Sequence, residues 1–412
     1  MFMFSWKNQK LHILYLFIIF SGSMAVYSDD SQPVVVIEPD EYSFEVGSVI
    51  RIPVEIFGLK HQFVLDTGCT NTVFDESFRD RLGPVVKRAK VSTPTATRDH
   101  DFFAAPEIVI GSLVQDKYRS EKPIGIGELA SLRTATGRNE MGLLGMDYLA
   151  SRVIRIQFER GLVQIDTTAK MQSGDSEKIF MRNRQAYILI GIPNEGFPSF
   201  TIDTGNSGSF SLERKLFERL VQIGRIVLQR DGTAAEVGGI RVARRGILDR
   251  IEFGGRQFCN VRVNEHLRNM VGLRFLEKYD IEFDFPNQIA YFRPNGQIEL
   301  LEYKNRAEFG VRRVMGRTLI ADIDPTGVTA NEGLCDDDEI LSINGNSAEH
   351  LTVVQIHKMI CNRDAATMKI TYRRDGVIQD ACITLSNTPE PFSLVPQQEN
   401  RPQQEKNDPF DD

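Results

Sequence analysis

The chain has 412 residues, 25% of them charged and 41% hydrophobic, with a formal net charge of −7 at pH 7. That length exceeds one ordinary core and predicts two or three domains. The acidic balance argues against a nucleic-acid binder, which presents a basic face or stripe.

Lys7 and Lys10 precede the apolar run 11–20, and the small residues Ser23 and Ala25 follow it. Basic start, short apolar centre and small-residue cleavage site are the layout of an export signal over 1–25. The run is shorter than the roughly 20 apolar residues of a membrane-spanning helix, although an uncleaved anchor remains the alternative. The expected product begins near Val26, is periplasmic or secreted, and has no membrane span after cleavage.

Residues 49–57 predict a strand, and Phe63-Val64-Leu65 predicts a second that runs into Asp66-Thr67-Gly68. Residues 74–82 read as a helix, 93–103 as a surface hairpin, and 108–112 as a strand closing on a Gly turn. Leu143-Leu144-Gly145 opens a further apolar-rich run, and the polar stretch 167–178 reads as a linker. The series then restarts. A strand over 187–192 precedes Asp203-Thr204-Gly205, a helix is expected at 212–223, a hairpin at 230–242 and a strand at 251–255, before Met270-Val271-Gly272.

This restart is a duplication. "FVLDTGCTNTVF" from Phe63 aligns with "FTIDTGNSGSFS" from Phe200, and "GMDYLASRVIRIQF" from Gly145 aligns without gaps on "GLRFLEKYDIEFDF" from Gly272. A lone Asp-Thr-Gly at a strand end ordinarily does no more than close a turn. Duplicated lobes, however, usually pack about a pseudo-two-fold axis, where the two turns meet. Asp66 and Asp203 would then share one proton, because neighbouring carboxylates cannot both ionise freely. One could act as base toward water while the other donates a proton to a carbonyl oxygen. Gly68 and Gly205 would permit the close backbone approach. The Thr67 and Thr204 hydroxyls could bond across the axis, and Thr70 and Ser207 could donate to the carboxylates.

On these motifs the chain resembles the pepsin and retropepsin clan of aspartic proteases over roughly 34–295, in a two-lobed single-chain form. The resemblance implies a mainly β fold with two duplicated lobes, 34–168 and 178–295, around a central cleft. It implies Asp66 and Asp203 as catalytic pair, peptide or protein substrates, and no cofactor. It also implies flaps over the cleft, for which 93–103 and 230–242 are the candidates. One departure is the residue after each triplet, Cys69 in one copy and Asn206 in the other, where the clan usually has Ser or Ala. Cys69 reads as a small packing residue, since no His stands near it in sequence to activate a thiol.

Residues 300–387 resemble a PDZ domain, a small β-sandwich or barrel with helices. The features carried are Phe309-Gly310-Val311 as the loop that would hold a peptide C-terminus, "NEGL", and "DEILSING" from Asp338. Asp337 stands where that family usually has Gly. The tail 388–412, rich in Pro, Gln and acids, reads as disordered. The five cysteines are widely spaced, which argues against a disulfide framework, and the six histidines show no ligand spacing, so no metal site is expected. Gly125–Ala130 matches a dinucleotide fingerprint only loosely, without a strong strand before it. The competing function is a non-catalytic peptide-binding or envelope scaffold that works through the PDZ unit.

Overall fold

The computed structural model describes residues 25–26, 34–35, 40–92, 97–110, 117–118, 123–166, 174–296, 305–362, 364–386 and 393–395. The export-signal segment, apart from Ala25, lies outside these residues. Within 1–39, Ala25–Val26 pairs antiparallel with Val34–Val35. Among the described residues no helix is long and apolar enough to cross a membrane.

From residue 40 onward the chain is mainly β, arranged in several sheets. Strand Arg51–Ile56 alternates half-buried and buried residues, the period-2 pattern of a sheet with one face on a core, and turns into Leu59–Leu65. Glu140–Leu144 then inserts between Leu59–Leu65, which it joins in parallel, and Val73–Asp75, which it joins antiparallel. The second half repeats this arrangement, with Met270–Gly272 between Ser199–Asp203 and Phe210–Glu213. Each sheet ends in a long hairpin, Val85–Ser92 with Thr97–Phe103 in the first half and Ile226–Glu236 with Gly239–Phe253 in the second.

The helices expected at 74–82 and 212–223 begin later than the sequence suggests. Val73–Asp75 and Phe210–Glu213 are strands, because their backbones are claimed by pairing with Ile124–Gly127 and Arg256–His266. The helical parts are Glu76–Arg81, capped by the Asp75 carboxylate accepting from Ser77 N at 3.1 Å, and Arg214–Gln222.

A six-stranded sheet joins the halves, in the order Asp175–Lys178, Ile289–Pro294, Tyr279–Asp284, Val153–Gln157, Leu162–Ile165, Asp40–Ser43. At its centre Val153–Gln157 runs antiparallel to Tyr279–Asp284, with Arg155 opposite Glu282. These two residues also align with each other in the sequence repeat. Their side chains form an ion pair, Arg155 Nε donating to Glu282 Oε2 at 2.9 Å, with Glu282 only 2% exposed. Breaking a buried pair strands a charge. Arg155→Ala should therefore lower stability by about 3–5 kcal/mol, while replacing both partners by Met should cost far less. Chemical denaturation of the two variants checks this.

The linker expected at 167–178 is corrected at its end. Asp175–Lys178 is an edge strand on Ile289–Phe292, because an edge position tolerates outward polar side chains while its backbone is satisfied on one side. Three residues of the tail depart from the expectation. Ser393–Val395 pairs antiparallel with Gln257–Cys259, a free strand edge that offers unpaired backbone groups.

One continuous hydrophobic core runs through the two halves and the sheet between them. Residues 305–386 have their own core, built on strands Gly310–Val314, Arg317–Ala321, Glu339–Ile343, Thr367–Arg374 and Val377–Thr384 with helix Val353–Ile360. This C-terminal unit is tied to both halves. Thr352 Oγ1 donates to Glu45 Oε1 at 2.7 Å. Arg274 Nη2 lies 3.1 Å from His357 Nε2. Burial, then the Arg274 charge, holds His357 down at about 4, so the neutral imidazole accepts this bond.

Candidate active site

Strands Leu59–Leu65 and Ser199–Asp203 deliver the two Asp-Thr-Gly turns to one place. Thr67 N donates to Thr204 Oγ1 at 3.1 Å, and Thr204 N donates to Thr67 Oγ1 at 3.1 Å. The hydroxyls then donate onward into the opposite strand, Thr67 Oγ1 to Ile202 O at 2.8 Å and Thr204 Oγ1 to Leu65 O at 2.7 Å. Buried hydroxyls with both neighbours satisfied lock the two turns in one geometry.

The glycines set the distance between the turns. A Cβ added to Gly68 would lie 2.4 Å from the Asp203 carboxyl carbon, and one added to Gly205 would lie 2.5 Å from that of Asp66. Each carboxylate therefore sits against the other turn's glycine. Asp66 Oδ1 accepts from Gly68 N at 2.9 Å and Cys69 N at 3.0 Å, and Asp203 Oδ1 accepts from Gly205 N at 3.1 Å. Asp66 and Asp203 are buried, 9% and 8% exposed.

Burial pushes the Asp66 carboxyl up to about 8, and the Asp203 charge adds to this. Burial also raises Asp203, opposed first by the Arg268 cation, then by the Gly205 N–H and by His266. The pair retains a proton into neutral pH. One carboxylic acid and one carboxylate side by side can donate and accept a proton in the same step.

Thr70 and Ser207 do not reach the carboxylates. The Thr70 hydroxyl accepts from Asn71 Nδ2 at 3.4 Å, and Ser207 is exposed. The turns' own backbone N–H groups occupy the inner carboxylate oxygens instead. The supporting role passes to Thr72, whose N and Oγ1 donate to Asp147 Oδ1 at 2.7 and 2.8 Å. Thr72 Oγ1 in turn accepts from Gly145 N at 3.2 Å. Gly145 and Gly272 pass so close to the turns that an added Cβ would meet Asn71 at 2.5 Å or Gly208 O at 2.3 Å.

Sequence reasoning missed Arg268 and Gln185. They donate to Gly68 O at 3.2 and 3.4 Å from the second half of the chain. Met141, which aligns with Arg268 in the first copy, has no charge. An exposed Arg two residues before an apolar block carries no recognisable spacing, which is why it was not found.

Cys69 Sγ donates to Asn71 O at 2.9 Å, and burial pushes its thiol well above the usual range, with Asp66 adding to the effect. A thiol held protonated is a poor nucleophile. Cys69→Ala should leave any turnover within severalfold of the parent in a steady-state assay. Among the described residues none of the five cysteines is in a disulfide. Among the described residues no group of three or more His, Cys, Asp or Glu is placed to hold a metal ion.

Phe309, Gly310 and Val311 do not form an open loop. Phe309 fills the C-terminal core, and Gly310 and Val311 begin strand Gly310–Val314, opposite Ala321 and Ile320. A buried aromatic fixes the strand start, and the loop itself falls earlier, where Glu308 N bonds Asn305 O at 3.3 Å and Asn305 Oδ1 at 2.9 Å.

A family model described as aspartyl protease matches residues 52–148, a stretch that contains Asp66, its turn and the Leu143-Leu144-Gly145 block. Residues 52–148 are an aspartyl protease domain. The match brings with it the expectation of peptidase chemistry on peptide substrates for that domain. It stops before the second Asp-Thr-Gly turn at Asp203. No curated protein matches the chain.

Proposed function

We propose that the chain is an exported aspartic endopeptidase, with Asp66 and Asp203 as its catalytic pair in a cleft between two duplicated β lobes. The observation that carries this reading is the reciprocal Thr67–Thr204 bonding, which sets two buried carboxylates against each other's glycine. In the reaction the ionised carboxylate takes a proton from a water that attacks the peptide carbonyl carbon. The protonated carboxyl gives its proton to the carbonyl oxygen. A tetrahedral diol forms and then collapses as the leaving nitrogen is protonated and the C–N bond breaks. The basic, apolar and small-residue pattern over 1–25 supports export. In this reading 305–386 is a PDZ-type unit that recruits substrate or partner C-termini.

Incubation of the full chain with a diverse peptide library, with and without a statine-type transition-state analogue, tests the proposal. Cleavage that the analogue blocks is expected. Absence of cleavage from acid to neutral pH, or cleavage indifferent to the analogue, would sink it.

A further inference from the structure

The hairpin Ile226–Glu236 with Gly239–Phe253 is fastened along its length by groups outside its own sheet. At its turn, Gly238 N donates to Glu128 O at 3.2 Å and Ser131 Oγ donates to Glu236 O at 2.6 Å. The tip, which belongs to the second half, is thereby held by the start of helix Ala130–Thr136 in the first half. Val237 closes against Gly127, where an added Cβ would meet it at 2.9 Å. Beside the tip, Glu236 pairs with Arg241 at 2.6 Å and with His266 at 3.5 Å. His266 ends strand Arg256–His266, which runs parallel to Phe210–Glu213, the strand that follows the second Asp-Thr-Gly turn.

Lower on the stem, a register shift between Gln229 and Gly232 bends the ribbon, and Arg245 crosses Gly232 to donate to Thr233 O at 2.9 Å. Here Thr233 Oγ1 donates to Asp322 Oδ2 at 2.7 Å and Arg230 Nη1 donates to Asp322 O at 3.5 Å. Asp322 belongs to the C-terminal unit, directly after strand Arg317–Ala321, with φ at 54°. The helix that receives the tip rests on the same unit. It packs along strand Gly310–Val314, and a Cβ at Gly137 would fall 2.8 Å from Arg313 Cγ and 3.3 Å from Val353. Glu45 bridges Arg138, at 3.3 Å, and the Thr352 hydroxyl, at 2.7 Å.

A two-stranded ribbon is marginally stable alone, and this one exposes Val227, Ile240 and Val242. Its position therefore depends on what it is tied to. We propose that the C-terminal unit is a positioning element of the cleft. Asp322 holds the stem of the hairpin, strand Gly310–Val314 holds the helix that grips its tip, and the hairpin so fixed clasps a bound peptide. The clasping of a peptide rests on the endopeptidase reading above. The unit thus acts on the cleft directly, and a chain cut after residue 296 should lose the hairpin's order although its two halves share a core of their own.

The test uses the full chain carrying Asp322→Ala or Thr233→Val, compared by amide hydrogen exchange and by peptide kinetics. Exchange across 231–242 should accelerate at least about fivefold while the six-stranded sheet is unchanged. KM should rise about three- to tenfold with kcat within about twofold, since the hairpin grips ground and transition states alike. Asp322→Asn, which keeps an acceptor for Thr233, should restore most of both, and the double variant should be no worse than either single one. Unchanged exchange at 231–242 in both single variants overturns the proposal even if cleavage is normal. Faster exchange in a chain that cleaves nothing upholds the positioning role and removes the peptidase reading instead.

Discussion

Asp66→Asn, or Asp203→Asn, should reduce peptide cleavage by at least about a thousandfold, and Asp66→Asn should at the same time make the protein more stable at neutral pH. The first effect follows from the mechanism, because an amide can neither take a proton from water nor return one to the substrate. The second follows from linkage. Burial raises the Asp66 carboxyl from 3.8 to about 8. The unfolded chain therefore loses this proton near pH 4, while the folded chain keeps it until near pH 8. Folding takes up a proton in that window, so the parent loses stability as pH rises through it. Asp66→Asn has no such slope at this position. At pH 7 it should gain on the order of a few kcal/mol, and the two unfolding curves should converge below pH 4. Denaturant titrations from pH 3 to pH 8, alongside turnover, check both effects. A variant that is inactive and destabilised at neutral pH would show that the carboxylate serves the fold, not the chemistry.

Gly68→Ala should be nearly as damaging to activity through a different cause. Gly68 does not need a positive φ, so alanine fits the backbone and the whole penalty lies in the new methyl group. That methyl would stand 2.4–2.7 Å from all three carboxyl atoms of Asp203, a distance at which the carboxylate must move. Separating the pair removes the shared proton and the alignment of both groups on one water, and kcat/KM should fall at least about a hundredfold. Overpacking should also cost about 1–3 kcal/mol of stability. Gly205→Ala should behave alike, since its methyl would meet Asp66 at 2.5–2.8 Å. Gly125→Ala is the control, with its new carbon only touching Phe102 at 3.6 Å. Equal kinetics for Gly68→Ala and Gly125→Ala would mean that the turns do not meet closely.

The parts legible in the sequence are those dictated by local pattern and by repetition. Two apolar strands ending in Asp-Thr-Gly, and two apolar-apolar-Gly blocks aligned without gaps, are enough to derive the duplication. Among the positions that align in the two copies are Arg155 and Glu282, which lie opposite each other in the six-stranded sheet. Glycine at 68 and 205 is likewise a local requirement written in residue type, because no side chain tolerates contact with a carboxylate at 2.4 Å. Strand-to-helix boundaries near 74 and 212 were less legible, since amphipathic residues there suit either element until a neighbouring strand claims the backbone.

What only the tertiary structure decided concerns groups that meet from distant parts of the chain. Thr70 and Ser207 lose the carboxylates to backbone N–H groups, a competition settled by turn geometry. Asp147 and Arg274 occupy aligned positions in the two copies, yet one braces the Thr72 loop and the other reaches His357 of the C-terminal unit. Arg268 reaches Gly68 O across 200 residues, and Asp322 reaches Thr233 across 89. Such contacts leave no periodicity or spacing in the chain. They depend on where whole sheets come to rest, and that is set by the summed burial of many apolar residues, not by any short run of them.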